Sequence, residues 1–239
     1  MSFLGDVVDW FTDPAHWQGA NGIPHRVEEH VLMSLAAVVA ALLIAVPPSL
    51  ILGHLRRFGT GAVNISNIGR AIPSFAVLVL GVQVVGIGAK PAFIALFVLA
   101  VPPLVTNSYV GMAQVDPEIR EAAQGMGMTG WQSIRRVEIP VALPVVLAGV
   151  RTSAVQVVAT ATLAAIVAWG GLGRYIVDGL AQRDNVQVFA GAFLVAVLSI
   201  LTELSLALVQ RLAVSAGLTH RHPGKNDPFV GAATTAEAT

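Results

Sequence analysis

Cysteine is absent from this 239-residue chain, which excludes disulfides and thiolate metal sites. Charge is scarce as well. Asp, Glu, Lys and Arg make up 12% of the residues, about half the rough one-quarter share of a soluble domain. Apolar residues make up 55%, and the mean hydropathy is +0.72. Such a chain is a polytopic membrane protein, and its long apolar runs make it all-α. The 14 basic and 14 acidic residues cancel, leaving no net field to attract a nucleic acid, so no nucleic-acid partner is expected. Its two lysines, Lys90 and Lys225, stand in no Gly-x-x-x-x-Gly-Lys-[Ser/Thr] loop, so the chain brings no ATPase of its own. Gly125-x-Gly127-x-x-Gly130 matches a dinucleotide fingerprint in spacing only, because a helical pattern and not a strand precedes it. His25 and His30 lie five apart on different helical faces, and His220 and His222 sit in a polar tail. No metal site is expected, and no Ser/His/Asp or paired-carboxylate constellation points to catalysis.

Charge-free runs of about twenty residues locate the membrane spans. Five are expected, over residues 31–53, 71–88, 91–109, 143–169 and 188–212, with the glycine-rich 170–185 connection the least defined. Lys and Arg collect at the cytoplasmic ends of spans. With the N-terminus outside, Arg56, Arg57, Arg70, Arg120, Arg135, Arg136, Arg211, Arg221 and Lys225 are cytoplasmic, and Arg26, Lys90, Arg174 and Arg183 are external. Nine against four favours this orientation in the cell membrane, with a cytoplasmic C-terminus. Residues 1–30 are expected to form an external or interfacial segment, where Phe3, Leu4, Val7, Val8 and Phe11 share one helical face. Its acids Asp6, Asp9 and Asp13 stand where a cleavable signal needs basic residues. Residues 31–212 are the transmembrane domain, and 213–239, with Pro223, Gly224 and Pro228, read as a disordered tail.

Between the third and fourth spans lies a polar insert with strong helix signals. Asp116-Pro117 starts a short helix running to about Gln124, with Glu118 and Glu121 near its positive end. Gly125 and Gly127 permit a left-handed stop. Thr129 and Gln132 form a capping-box pattern for a second short helix, expected to end near Pro140.

Glu121-Ala122-Ala123, three residues, Gly127, nine residues, Val137, one residue and Ile139-Pro140 resembles the signature loop of permeases of binding-protein-dependent ABC importers. That loop usually ends Ile-x-Leu-Pro, so Val137 and Ile139 are conservative departures. The resemblance runs from about His30 to Arg211. Arg70-Ala71-Ile72-Pro73-Ser74, Gly86-Ile87-Gly88, the run from Asp116 to Gly130 and Gly170-Gly171-Leu172-Gly173 look like the branch importing glycine betaine, choline, carnitine, proline betaine and related osmoprotectants. The resemblance implies a coupling loop at Glu121, Ala122, Ala123, Gly127 and Pro140, whose helix docks on a cytoplasmic ABC ATPase dimer. It also implies a second permease subunit, identical or related, and an extracytoplasmic substrate-binding protein. ATP and magnesium are then used by the ATPase, and this chain binds no cofactor.

Inside the membrane, Arg151 and Glu203 fall at similar depth, each on the order of 12 Å from the inner face at 1.5 Å per residue. An ion pair joining the fourth and fifth spans is expected, because an unpaired charge there costs at least ~2.5 kcal/mol. Thr152, Gln156 and Thr160, with Gly149 and Ser153 beside them, form a small polar stripe that suits a substrate pathway or subunit interface. Gly170, Gly171 and Gly173 suggest an outer hinge or gate. Trp10, Trp17, Trp131, Trp169, Tyr109 and Tyr175 all fall near span ends or outside the spans and read as interface anchors. With no mid-membrane cage for a quaternary ammonium, tight selection falls to the separate binding protein. Two alternatives stay open: an ion-coupled secondary transporter using Glu203, and an ABC importer of another small solute such as methionine or a sulfonate.

Overall fold

The computed structural model describes residues 2–56 and 59–214, so most of the expected tail lies outside the described residues, as does Arg57. The described chain is helical throughout, in the order α1 (Phe3–Thr12), α2 (Ile23–Leu55), α3 (Gly59–Ala71), α4 (Ser74–Val85), α5 (Ala89–Ala113), α6 (Pro117–Gly125), α7 (Gly130–Ser133), α8 (Ile139–Thr160), α9 (Gly173–Gln182) and α10 (Asn185–Ala213). Among the described residues, four helical segments are long and apolar enough to cross a membrane: α2, α5, the segment from α7 to Val167 that contains α8, and α10. The protein is therefore a multi-pass membrane protein.

The first and second expected spans differ from the observed helices. Gly22 and Pro24 start α2 eight residues before residue 31, so Glu29 and His30 belong to that helix. The return limb between α2 and α5 is two short helices broken at Ile72-Pro73, because proline disfavours helical backbone at the residue before it. Both halves run along α5: in α3 the Ser66 hydroxyl lies 2.7 Å from the Pro102 carbonyl, and Gly81 of α4 packs against Pro91.

Small residues let the long helices close on one another. Ala37, Ala41 and Ala45 of α2 are buried with Ala92, Ala95 and Ala100 of α5, the close packing that membrane helices use when lipid supplies no hydrophobic drive. A Cβ on Gly53 would sit 2.6 Å from Met112 Cβ, and one on Gly149 would sit 2.6 Å from Asn107 Cβ. Hence α2, α5 and α8 form the core, and α10 packs against α8 and α9 at its edge.

α1 and α9 pack across the start of α10. In α1 the buried residues are Val7 and Trp10, while Phe3, Leu4 and Val8 stay exposed, so the expected apolar face is divided between protein and surroundings. Trp10 meets Tyr175 edge to face at 5.4 Å and stacks on His16 at 4.1 Å. Trp10 and Tyr175 are thus buried protein contacts and not the interface anchors expected. The Tyr175 hydroxyl donates to the Asn21 carbonyl at 2.6 Å, and burial pushes its pKa up to about 12. The connection before α10 contains only the ten-residue α9, about 15 Å long and too short for a span.

Candidate functional site: the polar insert and the residues behind it

Each end of α6 is closed as its sequence dictates. The Asp116 carboxylate accepts from the Glu118 N–H at 2.9 Å. At the other end, Gly127 N–H donates to Gln124 O at 2.8 Å and Met128 N–H donates to Ala123 O at 3.1 Å. This is the paired closure of a Schellman turn, with Gly127 at the left-handed position, φ +79°. The chain thereby reverses, and Thr129 opens α7 through a complete capping box with Gln132.

The second short helix does not stop near Pro140. It continues through a π-turn, Ile134–Glu138, closed by the Ile139 N–H on the Ile134 carbonyl, and runs straight into α8. Proline has no N–H, and its ring would clash with the carbonyl four residues back. Widening the turn relieves that clash and leaves Pro140 in the first turn of α8, where no hydrogen bond is lost.

The π-turn also aims Glu138 inward, where its side chain is 0% exposed. Its carboxylate accepts from Ser133 Oγ at 2.9 Å, lies 2.8 Å from His54 Nδ1 and pairs with Arg120 Nη2 at 3.1 Å. Arg120 in turn donates to the His54 carbonyl at 3.1 Å and to the Met112 carbonyl. Burial lowers the Arg120 pKa and the Glu138 charge opposes that shift, and the guanidinium stays protonated. One buried carboxylate therefore ties together the end of α2, the end of α5, α6 and the start of α8. Glu138, His54 and Arg120 were not singled out by sequence. The available signal was one acid inside the apolar run Val137-Glu138-Ile139.

Outside this knot the insert offers a mixed surface. Glu121 and Ala122 are exposed, Ala123 is buried against the chain, and Gly127 is exposed at the turn. Beside them Ile119, Met126 and Trp131 are exposed, the last two at 70% and 64%. Apolar side chains displayed on a polar insert mark a contact surface for protein or membrane.

The stripe on α8 divides. Gly149 and Ser153 face α5 of the same chain, where Ser153 is fully buried and donates to the Ala100 carbonyl at 2.9 Å. In this subunit they pack within its own core, against α5. The helical spacing put them beside the stripe without revealing which neighbour they meet. Thr152 is exposed, Gln156 is half-buried, and Thr160 borders a small recess with Ser74 and Leu78.

Arg151 Nε lies 3.1 Å from Glu203 Oε1, and the guanidinium also donates to Gln210 Oε1 at 3.3 Å. Gln210 donates onward to the Pro144 carbonyl at 3.1 Å, so polar contacts follow the α8–α10 seam. Arg151→Ala and Glu203→Ala are each expected to lower the thermal midpoint of the purified protein by a few degrees. The double variant should be no worse than the weaker single, a coupling on the order of 1 kcal/mol. Additive losses in the double variant would contradict the pairing.

The Gly170–Gly173 turn is fixed to α2. Glu29 accepts from the Gly171 N–H at 2.8 Å and from Arg26 Nη1 at 2.8 Å. His30, also buried, accepts from the Leu172 N–H at 3.3 Å through Nδ1, which leaves the Nε2 proton to bond the Val158 carbonyl at 2.8 Å. A Cβ on Gly170 would fall on the Glu29 carboxylate and one on Gly173 on the Thr162 carbonyl, while Gly171 has φ +82°. These glycines thus serve close approach and a left-handed turn, and Glu29 and His30 are the partners the sequence did not reveal.

Comparison with known proteins covers most of the chain. Residues 37–214 match the family described as binding-protein-dependent transport system inner membrane component. The glycine betaine/carnitine/choline transport system permease protein OpuCB of Bacillus subtilis is 37% identical over 194 residues, 81% of this chain and 89% of that protein. The carnitine transport permease protein OpuCB of Listeria monocytogenes is 36% identical over 204 residues, 85% of this chain and 91% of the relative. The osmoprotectant import permease protein OsmY of Salmonella typhimurium is 34% identical over 182 residues, 75% and 77% of the two chains. In fold, the chain is similar to an inward-facing structure of the MetNI methionine ABC transporter, with a TM-score of 0.72 at 23% identity over 85% of this chain and 100% of that one. With four membrane-crossing helical segments and the Glu-Ala-Ala insert set between α5 and α8, the chain belongs to the family of binding-protein-dependent transport system inner membrane components.

Proposed function

We propose that this chain is the permease subunit of an ATP-driven importer for compatible solutes of the glycine betaine, choline and carnitine class. The observation that carries this reading is the similarity to osmoprotectant permeases, which extends over four-fifths of the chain. The insert faces the cytoplasm, and its α6 docks in a groove of a separate ABC ATPase that uses ATP and magnesium. Glu121 and Ala122 present the docking face, Ala123 seats α6 on its own subunit, and Gly127 and Pro140 fix the turn and the run into α8. Closure of the ATPase dimer pulls α6, and the Glu138 knot passes that displacement to α2, α5 and α8 together. Such a coupled, two-state movement is what alternating access requires.

Two permease subunits, identical or related, enclose the path. Thr152, Gln156 and Thr160 supply polar groups to that path or to the boundary between subunits, and an extracytoplasmic binding protein delivers the solute. The latched Gly170–Gly173 turn closes the outer side, with Glu29 and His30 holding it.

Vesicles containing the permease, its ATPase and its binding protein test the reading through uptake of labelled glycine betaine, choline, carnitine and methionine. ATP-dependent uptake of one or more of the first three is expected. Uptake driven by a proton gradient without the ATPase, or uptake of methionine alone, would overturn it.

A further inference from the structure

Arg70, expected from sequence at a cytoplasmic span end, stands near the middle of the membrane instead. The α3–α4 limb runs antiparallel to α5: Ser66 Oγ lies 2.8 Å from Thr106 Oγ1, a Cβ on Gly69 would sit 3.3 Å from Pro102 Cγ, and Gly81 packs on Pro91. Arg70 is therefore level with the midpoint of α5, a 25-residue helix long enough to cross the bilayer. Back to Gly59 at the start of α3 is about 16 Å, and forward to Val85 at the end of α4 about 22 Å, at 1.5 Å per residue. An arginine side chain extends roughly 7 Å at bond lengths of ~1.5 Å, short of the ~15 Å of hydrocarbon in half a bilayer. Its guanidinium reaches neither headgroup layer.

A guanidinium keeps its proton, so at this depth it needs water or an opposite charge. Among the described residues no carboxylate pairs with Arg70. Glu203, the one described acid well inside a span, already holds Arg151. Arg70 and its neighbours Ile68, Ile72 and Phe75 are exposed, so nothing in this subunit covers the break at Pro73. Just beyond the break, Ser74 borders the recess that Thr160 also lines, which sets the break level with one end of the polar stripe on α8. A permanent cation at mid-depth, unpaired and open on its own subunit, marks a wet path.

We propose that Arg70 binds the carboxylate of a zwitterionic solute as the solute crosses, a station inside the permease between the two membrane faces. A planar guanidinium holds a carboxylate through two parallel N–H donors. Glycine betaine and carnitine carry a carboxylate, and choline carries none. Resting on the importer reading, this station adds a selectivity that the permease itself imposes.

Uptake into vesicles holding the whole transporter, with its binding protein saturated by glycine betaine or choline in turn, tests it. Arg70→Gln should lower the ratio of glycine betaine to choline uptake about tenfold, the effect of one charge-assisted hydrogen-bonded contact. Arg70→Cys, in a chain that has no other cysteine, should show the same fall. Its thiol should react with a membrane-impermeant sulfonatoethyl thiosulfonate, because the path at this depth is wet. Attaching an aminoethyl group there instead restores a positive charge and should recover glycine betaine uptake, whereas the sulfonatoethyl group should not. An unchanged ratio, an equal loss of both solutes, no labelling of the cysteine, no recovery with the aminoethyl group, or a wild type that carries choline alone would overturn the proposal. A wild type that takes up neither solute under ATP, nor carnitine, would defeat the importer reading itself, and the station with it.

Discussion

Glu138→Ala is expected to be the most damaging single substitution in the chain. It removes the acceptor shared by Ser133, His54 and Arg120 and leaves the Arg120 guanidinium buried without its counter-charge. Breaking a buried ion pair on one side costs about 3–5 kcal/mol, which for a chain of this size corresponds to a fall of about 10 °C in thermal midpoint. Glu138→Gln keeps the shape and an oxygen for Ser133 but discards the charge, so it should fall between wild type and the alanine variant. Because Arg120 and Glu138 act as one unit, Glu138→Ala with Arg120→Ala should lose less than the sum of the singles. The functional signature is separate from the stability loss: ATP hydrolysis by the assembled Glu138→Gln transporter should persist while solute uptake falls about tenfold. A Glu138→Ala protein as thermostable as wild type would show that the carboxylate is not the tie between α2, α5, α6 and α8.

The second large effect is expected at Gly127. Its φ of +79° closes α6, and a Cβ there meets no neighbouring atom within 4 Å, so a substitution is opposed by backbone conformation and not by crowding. Left-handed backbone costs an L-residue roughly 1–2 kcal/mol, with asparagine the best tolerated and β-branched residues the worst. Gly127→Asn should therefore retain most uptake, whereas Gly127→Val should lose about tenfold or more while inserting normally. Equal uptake by the two variants would mean that the turn geometry is irrelevant to coupling. Gly127→Asp adds a charge beside the docking face and should behave like the valine variant in uptake, although its backbone strain is milder.

These effects were unequally legible in the sequence. Asp116-Pro117, Gly127 and the Thr129/Gln132 pair are local signals, each satisfied within five residues, and the spacing between them identified the insert. The long apolar runs likewise placed the chain in the membrane. Glu138 escaped because its partners His54 and Arg120 are 84 and 18 residues away, and because only a π-turn before Pro140 rotates it into the interior. The second span was misplaced for a related reason. Proline breaks the limb at residue 73, so the hydropathy of α4 alone recorded half of it. On α8 the spacing of four drew a stripe without saying which side meets α5, and Gly149 and Ser153 proved to be core. Gly170, Gly171 and Gly173 announced a special turn, but its fastening to Glu29 and His30 spans more than 140 residues of sequence.

Co-purification of the ATPase with Glu121→Lys tests the central claim, that the exposed face of α6 is where the engine attaches. Glu121 is exposed and has no salt bridge among the described residues, so the reversed charge should leave membrane insertion and thermal midpoint at wild-type values. The account predicts about tenfold less ATPase recovered with the tagged permease and a matching loss of uptake. Full ATPase recovery together with wild-type uptake would contradict it.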